Sequence, residues 1–387
     1  MMLLVAISAF FITLFGMPTL IKVAKLKRLV DEPADPRKIH FRSVPSIGGV
    51  MIFIAVMVNG FFWVSTGSAP DQATFQASSI LVASSVVIFF MGLKDDIIGI
   101  SAAKKLLVHL GVGATLITIG GFKISSFGGL FGIETLPEPV ALMFSLFVYI
   151  VIVNAWNLID GLDGLAGGYT VISMSAFALW FISTGQTQEA VMSLSLAGAM
   201  LGFLVFNFAP ARIFLGDCGS LLAGLFGYAL ATKLIATSND LVPESWGIVS
   251  RPILAMAILA YPMIDTLRVF FLRAIRGISP FHPDRNHLHH RLMMYFKSHS
   301  RSVIYIYVFS ISFTALAWVK PFLYPGLGEE GMFFGLLLLS GLSFFPILKR
   351  TRADYLQTQS QADNQAKKKM TGGKKGFSPK QSVLAQF

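Results

Sequence analysis

Eleven apolar runs, each long enough to cross the hydrocarbon of a bilayer, constrain this chain more than any of its other features. They lie at roughly 3–21, 45–64, 79–93, 106–120, 139–156, 165–184, 190–208, 219–236, 252–272, 302–319 and 331–348. A hydrocarbon core about 30 Å thick needs about 20 helical residues to span it, and no backbone polar group inside it can be left unpaired. The pattern therefore predicts an all-α integral membrane protein with about eleven transmembrane helices. The first run is followed, not preceded, by basic residues and lacks a small-residue cleavage site, so it reads as an uncleaved anchor. Residues 1–350 form the polytopic region; from about 351 to 387 the chain is polar and basic and is expected to be an unstructured tail.

An odd number of spans puts the termini on opposite sides, and the basic residues decide which side is which. Of the 31 Lys and Arg residues, Lys123, Lys233, Arg251 and Lys320 fall between runs on one side. Nearly all the rest crowd the other side: Lys22 to Arg42, Lys94 with Lys104 and Lys105, Arg273 to Arg301, and the tail. The positive-inside rule then predicts an outside N-terminus and a cytoplasmic C-terminus. Trp63, Trp180, Trp246 and Trp318 fall near outer helix ends, where an aromatic belt is expected. A net charge of +11 spread over these loops is an orientation signal and a lipid-headgroup partner, not a nucleic-acid surface. The single cysteine, Cys218, excludes an intrachain disulfide and any multi-cysteine metal site.

With this orientation every polar stretch of chemical interest, at 31–49, 94–105, 154–168, 212–220 and 276–291, lies on the cytoplasmic face. A transporter would place ionisable groups near the midplane, often in repeated halves, and no repeat is visible. One-sided polar loops fit an enzyme that takes a soluble substrate from the cytosol. In 154–168, Asn154, Asn157, Asp160 and Asp163 recur every three residues with glycines interleaved, so polar groups stand beside bare backbone as a binding wall would; a solvated turn is the plainer reading. Lys94-Asp95-Asp96 puts two acids at a helix C-terminus, which the helix dipole disfavours unless a cation is near.

Asp217 sits between glycines in FLGDCGS at the start of the eighth run, where it could ligate a metal or cap the helix. Asp95, Asp96, Asp160, Asp163 and Asp217 make an all-oxygen set, which selects Mg²⁺ or Mn²⁺ over zinc. His282 to Arg291 contains Arg285, His287, His289 and His290 in no zinc spacing, and suits a pyrophosphate. Arg37, Lys38 and His40, followed by Ser46 in PSIGG, form a basic approach, although Arg37 and Lys38 also serve as orientation signals. Asp265 lies within the ninth run beside Pro262, which can break a helix, and three residues before Arg268, a possible ion-pair partner.

Taken together, DEPADPRKIH with PSIGG, KDD, NAWNLIDGLDGLAGG, FLGDCGS, YPMID and SPFHPDRNHLHHRL resemble the polyprenyl-phosphate N-acetylhexosamine-1-phosphate transferases, in order from about residue 22 to 300. The histidine stretch and KISSFGGLFG resemble the branch that uses UDP-GlcNAc more than the branch that uses UDP-MurNAc-pentapeptide. The resemblance implies transfer of GlcNAc-1-phosphate from UDP-GlcNAc to undecaprenyl phosphate with release of UMP, using Mg²⁺ or Mn²⁺, at the start of a cell-envelope glycan such as O-antigen. It implies a multi-pass protein of the bacterial inner membrane, surrounded by lipid, and is compatible with a homodimer. By motif, Asp217 would be the principal metal ligand, and Asp95 and Asp96 would serve metal and lipid phosphate. Asn157, Asp160 and Asp163, with Asn154 beside them, would bind the nucleotide sugar. His287, His289 and His290 would contact its phosphates, and Lys105 would meet the lipid phosphate. Arg37, Lys38, His40, Ser46, Asp265 and Arg285 complete the expected substrate-binding set.

Overall fold

A computed structural model of the chain describes residues 1–31, 44–65, 71–247, 249–275, 277, 287–323, 326 and 328–349. Arg37, Lys38, His40, Arg285 and the tail at 351–387 lie outside the described residues. Helices cover all of the apolar runs: α1 (Met2–Leu26), α2 (Gly49–Ser65), α3 (Gln72–Ile98), α4 (Ala102–Thr118), α5 (Glu138–Leu158), α6 (Leu165–Ser183) and α7 (Thr187–Asn207). They continue with α8 (Gly216–Ile235), α9 (Arg251–Ile258), α10 (Ala260–Ile275), α11 (Leu288–Phe296), α12 (His299–Leu323) and α13 (Glu329–Lys349). Among the described residues, α1, α3, α5, α6, α7, α8, α12 and α13 are long and apolar enough to cross a membrane. The only strands there are a two-residue antiparallel ladder, Val30–Asp31 against Val44–Pro45. The protein is an all-α polytopic membrane protein.

The centre of the bundle is α8, whose residues from Cys218 to Leu234 are buried except for Lys233. A helix apolar on every side belongs in the middle of its neighbours, and α8 packs against α2, α3, α5 and α6. Small residues let these backbones meet, as membrane helices require when there is no hydrophobic drive between them. A Cβ on Gly92 of α3 would stand 2.6 Å from Cys218 Cα, and one on Gly49 would stand 2.2 Å from Gly219 N. These contacts bring the ends of α2 and α3 directly onto the first turn of α8.

The run at 252–272 is expected to be one span, but it folds as α9 and α10, bent by 76°. Pro262 has no N–H to offer Ile258, the residue four before it. The Ile258 carbonyl is instead taken by the Tyr169 hydroxyl at 2.6 Å and the Ser173 hydroxyl at 3.3 Å, both from α6. The bend is thus paired by a neighbouring helix. Of the four tryptophans expected near outer helix ends, Trp180 faces inward. Trp180 is fully buried, donates to Thr237 Oγ1 at 3.1 Å and packs with Trp246 and Trp318, with ring centroids 5.0–6.1 Å apart. Its indole finds a protein partner and has no need of the water interface.

Candidate active site at the start of α8

The segment before α2 and the segment before α8 are stitched together by backbone. Phe214 N–H donates to the Pro45 carbonyl at 2.7 Å, Gly48 N–H to the Phe214 carbonyl at 3.0 Å, and Gly49 N–H to the Leu215 carbonyl at 2.9 Å. Gly216 then turns with φ of 75°, and a Cβ there would stand 1.9 Å from the Ser46 carbonyl oxygen. Only glycine fits this junction. Ser46 therefore enters the site through its backbone.

Asp217, which could have capped its own helix, does not. The cap comes from Asp96 across the bundle: its Oδ1 accepts Asp217 N–H at 2.8 Å and its Oδ2 accepts Cys218 N–H at 3.0 Å. A charge unfavourable at the end of α3 is thereby placed at the start of α8, where the dipole favours it. The Asp217 side chain is left pointing elsewhere. Its Oδ1 accepts Asn157 Nδ2 at 2.7 Å, while Oδ2 receives a short bond from Lys105 Nζ. Asn157 also donates to Ser220 Oγ at 3.0 Å. The same ammonium donates to Asp95 Oδ2 at 3.1 Å, and Asp95 Oδ1 accepts Ile100 N–H at 2.6 Å. Lys105 is the cation that the paired acids of α3 call for.

The loop from α5 to α6 closes the site. Burial, with the negative charges of Asp217 and Asp96 close by, pushes the Asp160 carboxyl well above its ordinary value, against the opposing pull of the Gly216 N–H. Asp163 points away and accepts Ala211 N–H at 3.0 Å, so it ties this loop to the one before α8. Asn154 spends its amide on Ile150 of its own helix at 2.7 Å. Two residues not anticipated from sequence hold the same loop: Asn207 Oδ1 accepts Gly164 N–H at 2.9 Å, and the Tyr307 hydroxyl donates to the Gly164 carbonyl. Asn207 carried a readable signal, a polar residue at the end of an apolar run; Tyr307 carried none.

The bend between α9 and α10 aims Asp265 at the histidines. Its Oδ1 accepts Leu288 N–H at 2.7 Å, the first turn of α11, and lies 3.4 Å from Arg268 Nη2. Its Oδ2 lies 3.3 Å from His287 Nδ1 and 3.4 Å from His289 Nδ1. Asp265 thus has both the arginine and the histidines as partners. His289 reaches the α5–α6 loop, since a Cβ on Gly161 would stand 2.8 Å from its Nε2. The ring of His290 lies 4.2 Å from that of His289, centroid to centroid.

The model of glycosyl transferase family 4 matches residues 78–235, from α3 to the end of α8. A decaprenyl-phosphate N-acetylglucosaminephosphotransferase of Mycobacterium tuberculosis is 31% identical over 367 residues, covering 90% of this chain and 89% of that protein. A probable undecaprenyl-phosphate N-acetylglucosaminyl 1-phosphate transferase of Bacillus subtilis is 34% identical over 304 residues, covering 76% and 80%. The chain belongs to glycosyl transferase family 4. An undecaprenyl-phosphate alpha-N-acetylglucosaminyl 1-phosphate transferase of Escherichia coli, 32% identical over 302 residues, covers 75% of the chain and 77% of its own length.

In this glycosyl transferase family 4 protein, the donor set around Asp217 can be compared with what a divalent cation needs. Among the described residues, no three His, Cys, Asp or Glu side chains converge as a closed metal cage. Asp95 and Asp217 do share one cation already, the Lys105 ammonium, and each of their oxygens keeps a second lone pair. Two carboxylates, with the remaining positions left to water and phosphate oxygens, fit a hard ion such as Mg²⁺. Asp96 has both oxygens on backbone N–H groups and fits better as the residue that positions Asp217.

Proposed function

We propose that the protein transfers GlcNAc-1-phosphate from UDP-GlcNAc to undecaprenyl phosphate, giving undecaprenyl-pyrophosphoryl-GlcNAc and UMP, with Mg²⁺ or Mn²⁺. The observation that carries this reading is the Lys105 ammonium shared by Asp95 and Asp217 at the start of α8. Family membership and the relatives' names support the reaction class. Undecaprenyl is chosen over decaprenyl by the sequence resemblance, and mycobacterial relatives named for decaprenyl phosphate make the chain length a point for experiment.

In the proposed reaction an oxygen of the lipid phosphate bonds to the donor phosphorus that carries the sugar. The bond from that phosphorus to the bridging oxygen breaks, and UMP leaves. Both reactants are polyanions, so the protein's work is neutralisation and in-line placement. Lys105 would draw the acceptor phosphate to the acidic pair, and His287, His289 and His290 would meet the donor pyrophosphate. Asn157 orients Asp217, and Asp96 fixes the turn that carries it. Asp95 and Asp217 would hold the divalent ion, whose chemistry there is to offset the donor's negative charge. Neutralisation and in-line placement accommodate direct attack by the lipid phosphate without a covalent aspartyl intermediate.

The acceptor's polyprenyl tail gains about 0.8 kcal/mol per buried methylene and stays in the bilayer, so the site has to meet it at headgroup level. The loop charges support an outside N-terminus and a cytoplasmic acidic face in a bacterial inner membrane. The product would be the first lipid-linked sugar of a cell-envelope glycan. Purified protein offered UDP-GlcNAc or UDP-MurNAc-pentapeptide with undecaprenyl phosphate and Mg²⁺ should release UMP from the first donor only. Release from the second alone would move the protein to the other branch. Transport of either substrate without UMP would remove the enzyme reading.

A further inference from the structure

At the far end of α8, about 24 Å along the helix from Asp217, the protein has a polar cavity. It measures about 670 Å³ and is lined by Trp63, Thr74, Gln188, Glu189 and Lys233 among others, with Met1 and Leu241 supplying apolar contacts. That volume lies within the range of about 300–1,000 Å³ that small-ligand sites occupy. Its walls are already set: Gln188 Oε1 accepts the Ser78 hydroxyl at 2.7 Å, and the Trp63 indole donates to Ser8 Oγ and Asn59 Oδ1, each at 3.1 Å.

The charges in the cavity are the informative part. Lys233 is the one residue between Cys218 and Leu234 that is not buried, and its ammonium rests over the Phe122 ring, 5.1 Å from the centroid. Glu189 lines the same cavity, yet among the described residues no ion pair joins it to Lys233 or joins either one to another group. Asp71, a carboxylate within electrostatic reach of Lys233, is committed to Thr74 N–H at 2.7 Å. Opposite charges facing one space without touching match a ligand that carries both signs. The cavity also lies at the end of the spans, where headgroups sit.

We propose that this cavity binds a zwitterionic phospholipid headgroup of the phosphoethanolamine class, its phosphate on Lys233 and its primary ammonium on Glu189. The acyl chains would leave past Met1 and Leu241 into the bilayer. Full-length protein incubated with equal amounts of phosphatidylethanolamine, phosphatidylcholine and phosphatidylglycerol, then examined by native mass spectrometry, should retain the first over the other two by about fivefold. Phosphatidylcholine carries the same charges without an N–H to give Glu189, and phosphatidylglycerol lacks the ammonium. Glu189→Gln and Lys233→Gln should each abolish the preference while UMP release persists, which shows the fold intact. Excess glycerophosphoethanolamine should displace the lipid, because the polar head makes the contacts. Equal retention of the three lipids, an unchanged preference in both variants, or failure of the soluble headgroup to compete would each overturn the proposal.

Discussion

Asp96 Oδ1 accepts the backbone N–H of Asp217 at 2.8 Å, so an acid at the end of α3 holds the turn from which the proposed metal ligand projects. Asp96→Asn keeps one acceptor but turns an amide NH₂ toward the second N–H. Loss of a hydrogen bond to a charged group predicts a destabilisation of about 1.5–3 kcal/mol together with lost transfer. Asp95→Asn, which leaves the start of α8 intact, should lose transfer with much less change in thermal unfolding. Equal unfolding temperatures for the two variants in one detergent would contradict the division of roles.

The crossing of α3 and α8 depends on the absence of a side chain at Gly92. Gly92→Ala would press a methyl against Cys218 backbone, which cannot rotate away, and should cost about 1–3 kcal/mol. Gly60, with nothing within 4 Å of an added Cβ, is the control. Gly60→Ala should be neutral or stabilising by about 0.4–1 kcal/mol. Thermal unfolding of both variants checks the pair.

Asp160 gives a pH-dependent expectation. Its carboxyl is held above the ordinary value, so between the unfolded value of about 3.9 and the raised folded value the folded protein binds more protons than the unfolded chain. Stability is lost as pH rises through that window, and the full cost is present above it. Asp160→Asn should therefore unfold at a higher temperature than the parent at pH 7.5 without added metal. The advantage should vanish below about pH 4, where both side chains are neutral. An advantage that persists at low pH would refute the electrostatic cause.

Asp265 joins α10 to the histidines through Leu288 N–H, His287 and His289. Asp265→Asn retains the backbone bond and removes the charge facing both rings. Displaced histidines should lower kcat/KM for UDP-GlcNAc on the order of 100-fold, since small misplacements of positioning groups cost that much. Unchanged kinetics would separate the histidines from donor binding.

Much of this arrangement was readable from the chain. Membrane helices announce themselves by length and apolarity, which is why every predicted run falls on helix, although the run at 252–272 is split between α9 and α10, and α2 and α4 are shorter than the eight described helices long enough to cross a membrane. The acids of KDD, LIDGLDG and FLGD stood out because carboxylates at membrane-helix ends need a reason to be there, and the fold gathers Asp95, Asp96, Asp160 and Asp217 at one place. What sequence did not reveal depends on long-range geometry. Asp95 and Asp96 are adjacent and chemically identical, and their roles separate only because the start of α8 arrives from 121 residues away. Asp163 has the spacing of a binding-wall residue but faces the Ala211 loop. The bend at Pro262 was foreshadowed, whereas its rescue by Tyr169 depends on which helix lies alongside. Trp180 looked like an interface residue because its burial is decided by Trp246 and Trp318, distant in sequence.

The central claim is that Asp217, fixed by Asp96 and shared with Asp95 through Lys105, anchors the cation on which phosphoryl transfer depends. It is tested most directly by UMP release from UDP-GlcNAc and undecaprenyl phosphate, comparing the parent protein with Asp217→Asn over a Mg²⁺ titration. The parent should release UMP in a Mg²⁺-dependent manner that a chelator abolishes, while the variant, still folded in detergent, should release none. Near-parental release by Asp217→Asn at every Mg²⁺ concentration would contradict the account.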